Sequence, residues 1–159
     1  MTRIGHGYDL HRLEPGRRLI VGGVELAHGR GAVAHSDGDV VYHAVVDAVL
    51  GALGQGDIGE LFPDDDPTWR AADSAVFLRE AARRLKEGGY QLGNLDVTVI
   101  LEQPKLKTHK PAMRDNLAAI FACDSSRINV KSKTNEKVDA LGENRAMACH
   151  AVVSIEPIR

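Results

Sequence analysis

The second half of the chain alternates strand-like and helix-like segments, and this alternation restricts the possible folds more than any other feature. Three segments, 95–102, 128–134 and 147–156, are β-branched or alternate apolar with polar residues, as half-buried strands do. Two amphipathic segments, 73–87 and 111–122, have helical periodicity. Because helices that alternate with strands pack against one sheet, we predict an α+β fold: a two-layer α/β sandwich with a mixed sheet and helices on one face.

The first half adds a strand, a hairpin and a third helix. Residues 2–9 predict a strand that runs into a functional turn, and residues 18–27 predict a hairpin with a glycine-rich tight turn. Residues 39–53 predict a helix with Ser36 or Asp39 as its N-cap.

Length and composition exclude several classes of protein. The 159 residues, 43% of them hydrophobic, predict a single domain over 1–159. The net charge of −2 and the dispersed Lys and Arg argue against a nucleic-acid partner and an anionic membrane partner. Cys123 and Cys149 have neither metal-site nor disulfide spacing, which predicts free thiols in a reducing compartment. With no signal-peptide pattern, we expect a cytoplasmic protein, or one of a plastid-type organelle if a transit peptide was removed.

A carboxylate and an imidazole two residues apart, Asp9 and His11, form the first candidate site. In an extended chain, residues at this spacing point to the same side. His43 lies on a polar stripe of the predicted helix with Asp39 and Asp47, and it can complete a three-ligand set. One carboxylate and two imidazoles suit zinc and leave one position for a substrate oxygen. By itself the spacing also fits an ordinary polar surface, and both interpretations stay open.

Three further polar segments each have a functional and an ordinary interpretation. Segment 35–39 (HSDGD) precedes a helix N-terminus, which favours an anion, but it also fits a capping turn. Segment 57–66 (DIGELFPDDD) packs four aspartates around a glycine and a proline, as a solvated acidic loop also does. Segment 131–136 (KSKTNE) ends in Thr134 and Glu136, which suit a phosphate and a Mg²⁺ ion, or form an exposed strand edge.

Long motifs that contain these segments run in order along nearly the whole chain: GHGYDLHRL (5–13), AHSDGDVVYHA (34–44), GDIGELFPDDDPTW (56–69), ADS (72–74), GYQLGNLDVTVILEQPKL (89–106) and VKSKTNE (130–136). Together they resemble the family of 2-C-methyl-D-erythritol 2,4-cyclodiphosphate synthase, an enzyme of the non-mevalonate route to isoprenoid precursors. Motifs in this order are far more specific than any one of them.

The resemblance implies two metal sites. Asp9, His11 and His43 would be the zinc ligands, and Glu136 would bind a second divalent metal, Mg²⁺ or Mn²⁺. Asp47 lies on the same helix stripe as His43, and we expect it to orient that imidazole.

The resemblance also implies the contacts with substrate. His35 and Thr134 would stabilise the transition state from opposite sides. Segment 57–66 would hold the methylerythritol end, and segment 101–107 would form the cytidine pocket. The expected substrate-binding residues are Ser36, Asp57, Ile58, Gly59, Phe62, Pro63, Asp64, Asp65, Asp66, Leu101, Glu102, Gln103, Pro104, Lys105, Leu106, Lys107, Lys133 and Asn135.

The assembly that the resemblance implies is a homotrimer whose sheets face the central axis and whose active sites lie between subunits. This arrangement accounts for two separate sequence clusters of candidate residues, 9–66 and 101–136. The implied reaction cyclises 4-diphosphocytidyl-2-C-methyl-D-erythritol 2-phosphate and releases CMP. The chain departs from a common form of the family at Ala140 and Glu143, where that form has Phe and Arg lining a central cavity. We therefore do not expect an isoprenoid diphosphate in such a cavity here.

Two other functions remain as alternatives. A zinc hydrolase is compatible with the ligand set, although the sequence lacks a Glu base placed as in His-Glu-x-x-His. A trimeric binding module with structural zinc is the second, although structural sites are usually closed by four Cys or His ligands.

Overall fold

The structure of the protein is a computed structural model that describes residues 1–158. Two short 3-10 turns, Pro67–Trp69 and Ser125–Arg127, accompany the helices and strands. The elements of the described chain are, in order, β1 Arg3–Pro15, β2 Leu19–Val21, β3 Val24–Leu26, β4 Arg30–Ala32, α1 Val40–Leu53, α2 Ile58–Leu61, α3 Ala75–Glu87, β5 Tyr90–Ile100, α4 Lys110–Phe121, β6 Ile128–Lys133, α5 Asp139–Gly142 and β7 Ala146–Pro157.

Five strands form one mixed sheet in the order β4-β1-β7-β5-β6. Strands β5 and β6 are parallel, and the other neighbours in this sheet are antiparallel. Strands β2 and β3 form a separate two-stranded hairpin, as the glycine-rich turn predicts. The predicted α+β fold with a mixed sheet is therefore confirmed.

The helices cover one face of the sheet. Helix α1 packs on β1 and β7, while α3 contacts β5 and α4 contacts β6. In the sheet register, Asp9 is paired with Cys149, which is paired in turn with Val99, and this row faces the helices. Since side chains alternate between faces, the next row, Leu10, Ala148 and Ile100, faces away from them.

The other face of the sheet is left uncovered within the described chain. Four large apolar side chains are exposed on it, with relative exposures of 72% for Ile4, 47% for Tyr8 and Leu10, and 44% for Val152. An apolar surface of this kind is characteristic of a contact with another protein chain.

Two glycines let helix α1 approach strand β1 closely. A Cβ atom at Gly5 would lie 1.8 Å from the carbonyl oxygen of Ala48, and one at Gly7 would lie 1.8 Å from that of Ala44. Any side chain at these positions would push the helix away from the strand. The close approach places His43, next to Ala44, over the continuation of the same strand.

Two predicted boundaries differ from the structure by more than two residues. Strand β1 continues to Pro15, so residues 10–15 lie within the strand and not in the functional turn predicted after residue 9. Strand β5 begins at Tyr90, earlier than the predicted Leu95, because a bulge at Leu92 and Asn94 interrupts the alternation of side chains. Within the described residues, the helices are all too short or too polar to cross a bilayer.

Candidate active site

Three potential metal ligands, Asp9, His11 and His43, meet where β1 passes under α1. Asp9 Oδ2 lies 2.8 Å from His11 Nε2 and 3.1 Å from His43 Nδ1. The two imidazole nitrogens are 3.2 Å apart. The three donor atoms thus form a nearly equilateral triangle. Asp9 and His11 lie on the same side of β1, as their spacing on an extended strand predicts.

The triangle fits a tetrahedral metal ion. Ligand atoms at about 2.0–2.1 Å from a tetrahedral zinc ion lie about 3.3–3.4 Å from one another. The observed separations of 2.8 to 3.2 Å would therefore widen by only a few tenths of an ångström to hold the ion. One carboxylate and two imidazoles leave a fourth position for a substrate oxygen.

The electrostatics of the triangle favour a cation. Burial opposes ionisation of Asp9, but hydrogen bonds and charge interactions with His11 and His43 hold its pKa well below its usual range. Burial likewise lowers the pKa of His43, but the neighbouring Asp9 carboxylate outweighs it and raises that pKa. Asp9 therefore favours a proton on the His43 imidazole, and a bound metal ion would replace that proton.

The far side of the His43 ring is held by hydroxyl groups. Its Nε2 lies 2.8 Å from Ser74 Oγ and 3.1 Å from Ser36 Oγ. The Ser74 hydroxyl in turn donates a short hydrogen bond to the Asp37 carboxylate. His43 is therefore fixed at both ring nitrogens.

Segments 35–39 and 57–66 lie side by side. The Nε2–H of His35 donates to the carbonyl oxygen of Asp66 at 3.2 Å, and the His35 carbonyl accepts from the N–H of Ala71. The aromatic rings of Phe62, Trp69 and Phe77 pack together beneath this loop, with centroids 4.5 to 5.8 Å apart. A cleft of about 360 Å³ results, and it is lined by Asp9, Leu10, His11, Val33, Ala34, His35, Ser36, His43, Ile58, Gly59, Phe62, Asp64, Trp69 and Phe77.

The cleft therefore brings together most of the predicted residues from the first half of the chain. Asp57, Pro63, Asp65 and Asp66 belong to the same loop but do not line the cleft in the described chain. Asp57 instead caps α2, accepting the N–H of Glu60 at 3.0 Å.

Asp47 does not contact His43 as we expected from its place on the helix stripe. Its Oδ1 accepts the N–H of Ile58 at 2.8 Å, at the start of α2. Burial raises the pKa of Asp47, and the hydrogen bond from Ile58 opposes that rise. The helix that carries His43 is therefore tied, through Asp47, to the loop that lines the cleft.

The second cluster of predicted residues lies where the parallel strands β5 and β6 end. The N–H of Leu101 donates to the carbonyl of Lys133 at 2.9 Å, and the N–H of Asn135 donates to Glu102 Oε2 at 3.2 Å. These bonds join the exposed and half-buried residues of segments 101–107 and 133–136 into one surface, while Leu101 and Leu106 are buried in the core. At its end, Thr134 Oγ1 donates to Glu136 Oε1 at 3.2 Å.

This second cluster does not line the cleft of its own chain. Lys133 pairs in register with Ile100, which shares a row with Ala148 and Leu10 on the uncovered face. Asp9 lies on the opposite, helix-covered face. A side chain on one face of a sheet cannot reach a site on the other, so the fold of one chain keeps Lys133 away from the metal ligands.

Several residues of the site are not predicted from the sequence. Ser74 and Asp37 hold His43, and Trp69 and Phe77 line the cleft. Ser74 lies in the ADS motif (72–74) that contributes to the family resemblance, but the motif by itself assigns it no role. The roles of Ser74 and Asp37 depend on contacts across 31 to 37 positions of sequence, which local patterns do not reveal.

Fold and site together define the class: an α+β protein with a carboxylate–imidazole triad that can hold a metal ion and that opens into a cleft. Comparison with known proteins gives the family. The sequence profile of the YgbB family matches residues 2–156. The 2-C-methyl-D-erythritol 2,4-cyclodiphosphate synthase of Proteus mirabilis is 52% identical over 151 residues, which are 95% of this chain and 94% of the relative. The chloroplastic enzyme of the same name from Oryza sativa subsp. japonica is 59% identical over 95% of this chain and 68% of its own length.

Solved structures agree with this comparison. The CDP complex of IspF from Plasmodium falciparum matches with a TM-score of 0.88 and 38% identity, covering 99% of this chain and 97% of that one. The bifunctional IspDF of Campylobacter jejuni matches with a TM-score of 0.95 and 40% identity, and this chain spans 43% of its length. The chain belongs to the YgbB family, whose named relatives are 2-C-methyl-D-erythritol 2,4-cyclodiphosphate synthases.

Proposed function

We propose that the protein converts 4-diphosphocytidyl-2-C-methyl-D-erythritol 2-phosphate to 2-C-methyl-D-erythritol 2,4-cyclodiphosphate and CMP. An oxygen of the 2-phosphate attacks the β-phosphorus of the diphosphate and forms the new P–O bond. The bond from that phosphorus to the bridging oxygen breaks, and its electron pair leaves with CMP. The reaction consumes no water and needs no covalent enzyme intermediate. It is a phosphorus–oxygen lyase reaction.

The barrier to this reaction is the approach of one phosphate anion to another. Asp9, His11 and His43 would hold Zn²⁺, and Glu136 would hold Mg²⁺ or Mn²⁺. The positive charge of these ions would neutralise the phosphate oxygens. The remaining requirement is orientation, and a well-held intramolecular attack can gain about 7–11 kcal/mol. The cleft would fix the methylerythritol end of the substrate, and the surface of segments 101–107 and 133–136 would fix the cytidine end.

The chain's own residues supply the fixed groups. His35 and Ser36 lie at the cleft wall beside the metal triangle, where they would contact the phosphates. Segment 57–66 forms the apolar and acidic wall that would hold the methylerythritol end. The surface made by 101–107 and 133–136 would bind cytidine, and Thr134 would approach the reacting phosphorus from the other side.

For that surface to reach the metal site, two chains must meet, and we propose a homotrimer with active sites between neighbouring subunits. Two observations support this assembly. Lys133 of the second cluster lies on a different face of the sheet from Asp9, and the uncovered face exposes Ile4, Tyr8, Leu10 and Val152. Packing these faces around a common axis would bury the apolar side chains and bring the second cluster to a neighbour's cleft.

The convergence of Asp9, His11 and His43 in a cleft bounded by segments 35–39 and 57–66 is the observation that carries the proposal. The test is to incubate purified protein with the cytidyl substrate and Mg²⁺, before and after zinc stripping, and to follow CMP and the phosphorus resonances. We expect CMP and a cyclic diphosphate, lost on stripping and restored by zinc.

His43→Ala is the control variant for that assay, and it should fold but lose both zinc and nearly all turnover. CMP accompanied by a linear phosphate product would identify the zinc hydrolase instead. Bound zinc without any CMP release would favour the binding module.

A further inference from the structure

The position of Ser74 at the start of helix α3 predicts that its hydroxyl caps the helix, but the hydroxyl makes a different contact. Ser74 is the N-cap residue of helix α3, yet its side chain makes no capping hydrogen bond. The neighbouring Asp73 takes that place, because its Oδ1 accepts the N–H of Ala75 at 2.8 Å. The fully buried Ser74 hydroxyl points to His43 instead, 2.8 Å from Nε2.

The direction of each hydrogen bond follows from the chemistry of the groups. A serine hydroxyl has one proton, and the Asp37 carboxylate can only accept, so Ser74 Oγ donates its proton to Asp37. Ser74 Oγ must then act as the acceptor toward His43, which requires a proton on Nε2. A neutral imidazole with a proton on Nε2 has its lone pair on Nδ1. Nδ1 is the nitrogen that faces Asp9 and His11.

Asp37 is itself held in place for this task. Its Oδ2 accepts the backbone N–H of Ser74 at 3.1 Å, and its Oδ1 accepts the N–H of Asp39 at 3.1 Å. The carboxylate therefore connects the loop before α1 with the start of α3.

We propose that Ser74 and Asp37 are positioning residues that keep His43 in the tautomer and orientation needed to bind the metal through Nδ1. This inference rests on the proposed metal site at Asp9, His11 and His43. Hydrogen-bond partners of this kind behind a metal-binding imidazole typically change metal affinity by about 10–100-fold.

The test compares Ser74→Ala with Asp73→Ala, which removes the side chain that does cap α3. Zinc affinity is measured by competition with a chromophoric chelator, and folding is measured by thermal unfolding of the zinc-free protein. Ser74→Ala should weaken zinc binding by about 10–100-fold with little change in melting temperature. Asp73→Ala should lower the melting temperature by a few degrees and leave zinc affinity unchanged.

A spectroscopic measurement separates positioning from a merely structural role. In the zinc-loaded protein with ¹⁵N-labelled histidine, the Nε2 proton of His43 should be visible and protected from exchange with water. In Ser74→Ala it should exchange rapidly. Ser74→Thr, which keeps the hydroxyl, should recover zinc affinity and the protected proton.

Asp37→Asn combined with Ser74→Ala should bind zinc no more weakly than Ser74→Ala alone, because Asp37 acts through Ser74. Wild-type zinc affinity in Ser74→Ala would overturn this inference and leave the metal site intact. Failure of the wild-type protein to bind zinc would instead overturn the metal site and the inference together.

Discussion

At the scale of single residues, Asp39 joins the hairpin to helix α1. Its carboxylate accepts the N–H groups of Gly22 and Gly23 in the β2–β3 turn, at 2.9 and 2.6 Å. It also caps α1 by accepting the N–H groups of Val41 and Tyr42, at 3.0 and 3.2 Å. Four donors are thereby satisfied by one side chain that is fully buried.

Asp39 also makes the stability of the protein depend on pH. Burial raises its pKa from the ordinary value of 3.8 to about 6, against the opposing effect of the backbone N–H groups. A carboxyl group whose folded pKa is raised contributes stability that is fully present below the unfolded value and lost as pH rises through the folded value. The contribution of Asp39 to the free energy of unfolding therefore falls as the pH rises from 3.8 to about 6.

We expect Asp39→Asn to lower the free energy of unfolding by about 1–3 kcal/mol, because the amide nitrogen faces an N–H group. The difference in the free energy of unfolding between wild type and variant should shrink as the pH rises from 3.8 to about 6. Urea unfolding of both proteins at several pH values measures this difference in free energy. A difference that grows with pH would contradict the raised pKa.

At the scale of elements, the metal site depends on how closely α1 lies on β1. Gly5 and Gly7 face helix α1, Gly5 opposite the carbonyl group of Ala48 and Gly7 opposite that of Ala44, one helical turn away. Because glycine has no side chain, there is room for both carbonyl groups. Because protein interiors are close-packed, an added methyl group here must displace the helix. His43 would move with it, while Asp9 and His11 remain on the strand.

Gly7→Ala should therefore lower the free energy of unfolding by at least about 2 kcal/mol and weaken zinc binding as well. Gly29→Ala is the matched control, because a Cβ there meets no atom within 4 Å. We expect its free energy of unfolding to remain within about 0.5 kcal/mol of wild type. Denaturant unfolding and chelator competition measure the two effects, and a Gly7→Ala protein with normal zinc affinity would contradict this role of the glycine.

At the scale of the whole molecule, the proposed site is divided between two surfaces that one chain keeps apart. The metal triangle lies on the helix-covered face of the sheet, and Lys133 lies in a row of the other face. Thr134 and Glu136 follow directly after it. A trimer in which each cleft receives these residues from a neighbour resolves the separation without changing the fold of the chain.

Mixing two inactive variants tests this arrangement. His43→Ala lacks the zinc site and Glu136→Gln lacks the second metal ligand. After joint unfolding and refolding in equal amounts, a random mixture should recover about a quarter of wild-type activity, because about three-quarters of the trimers are mixed and each has one intact site of three.

A mixture of His43→Ala with Asp9→Ala is the control for this experiment and should stay inactive, since both changes affect the same cluster. Sedimentation should show a trimer for every variant. Absence of recovery in a trimeric mixture of the first pair would mean that each site is built from a single chain.

The sequence by itself determined the elements and the chemistry of the metal ligands. Strand and helix periodicity predicted the mixed sheet and its helices, since these patterns arise between residues a few positions apart. The spacing of Asp9 and His11 predicted that they share one face, which holds on any extended strand. The polar stripe of the predicted helix made His43 a candidate third ligand, and the resemblance of the motifs to a known family implied the same role and the remaining site residues.

Only the tertiary structure decided which groups support the ligands and which face of the sheet each cluster occupies. Asp47 lies at the expected place on α1 but binds Ile58, and the unassigned Ser74 holds His43. Helix periodicity tells which way a side chain points, but its partner depends on the loops that pack beside it. The separation of Lys133 from Asp9 likewise depends on strand register across four strands, which pairs residues far apart in the sequence.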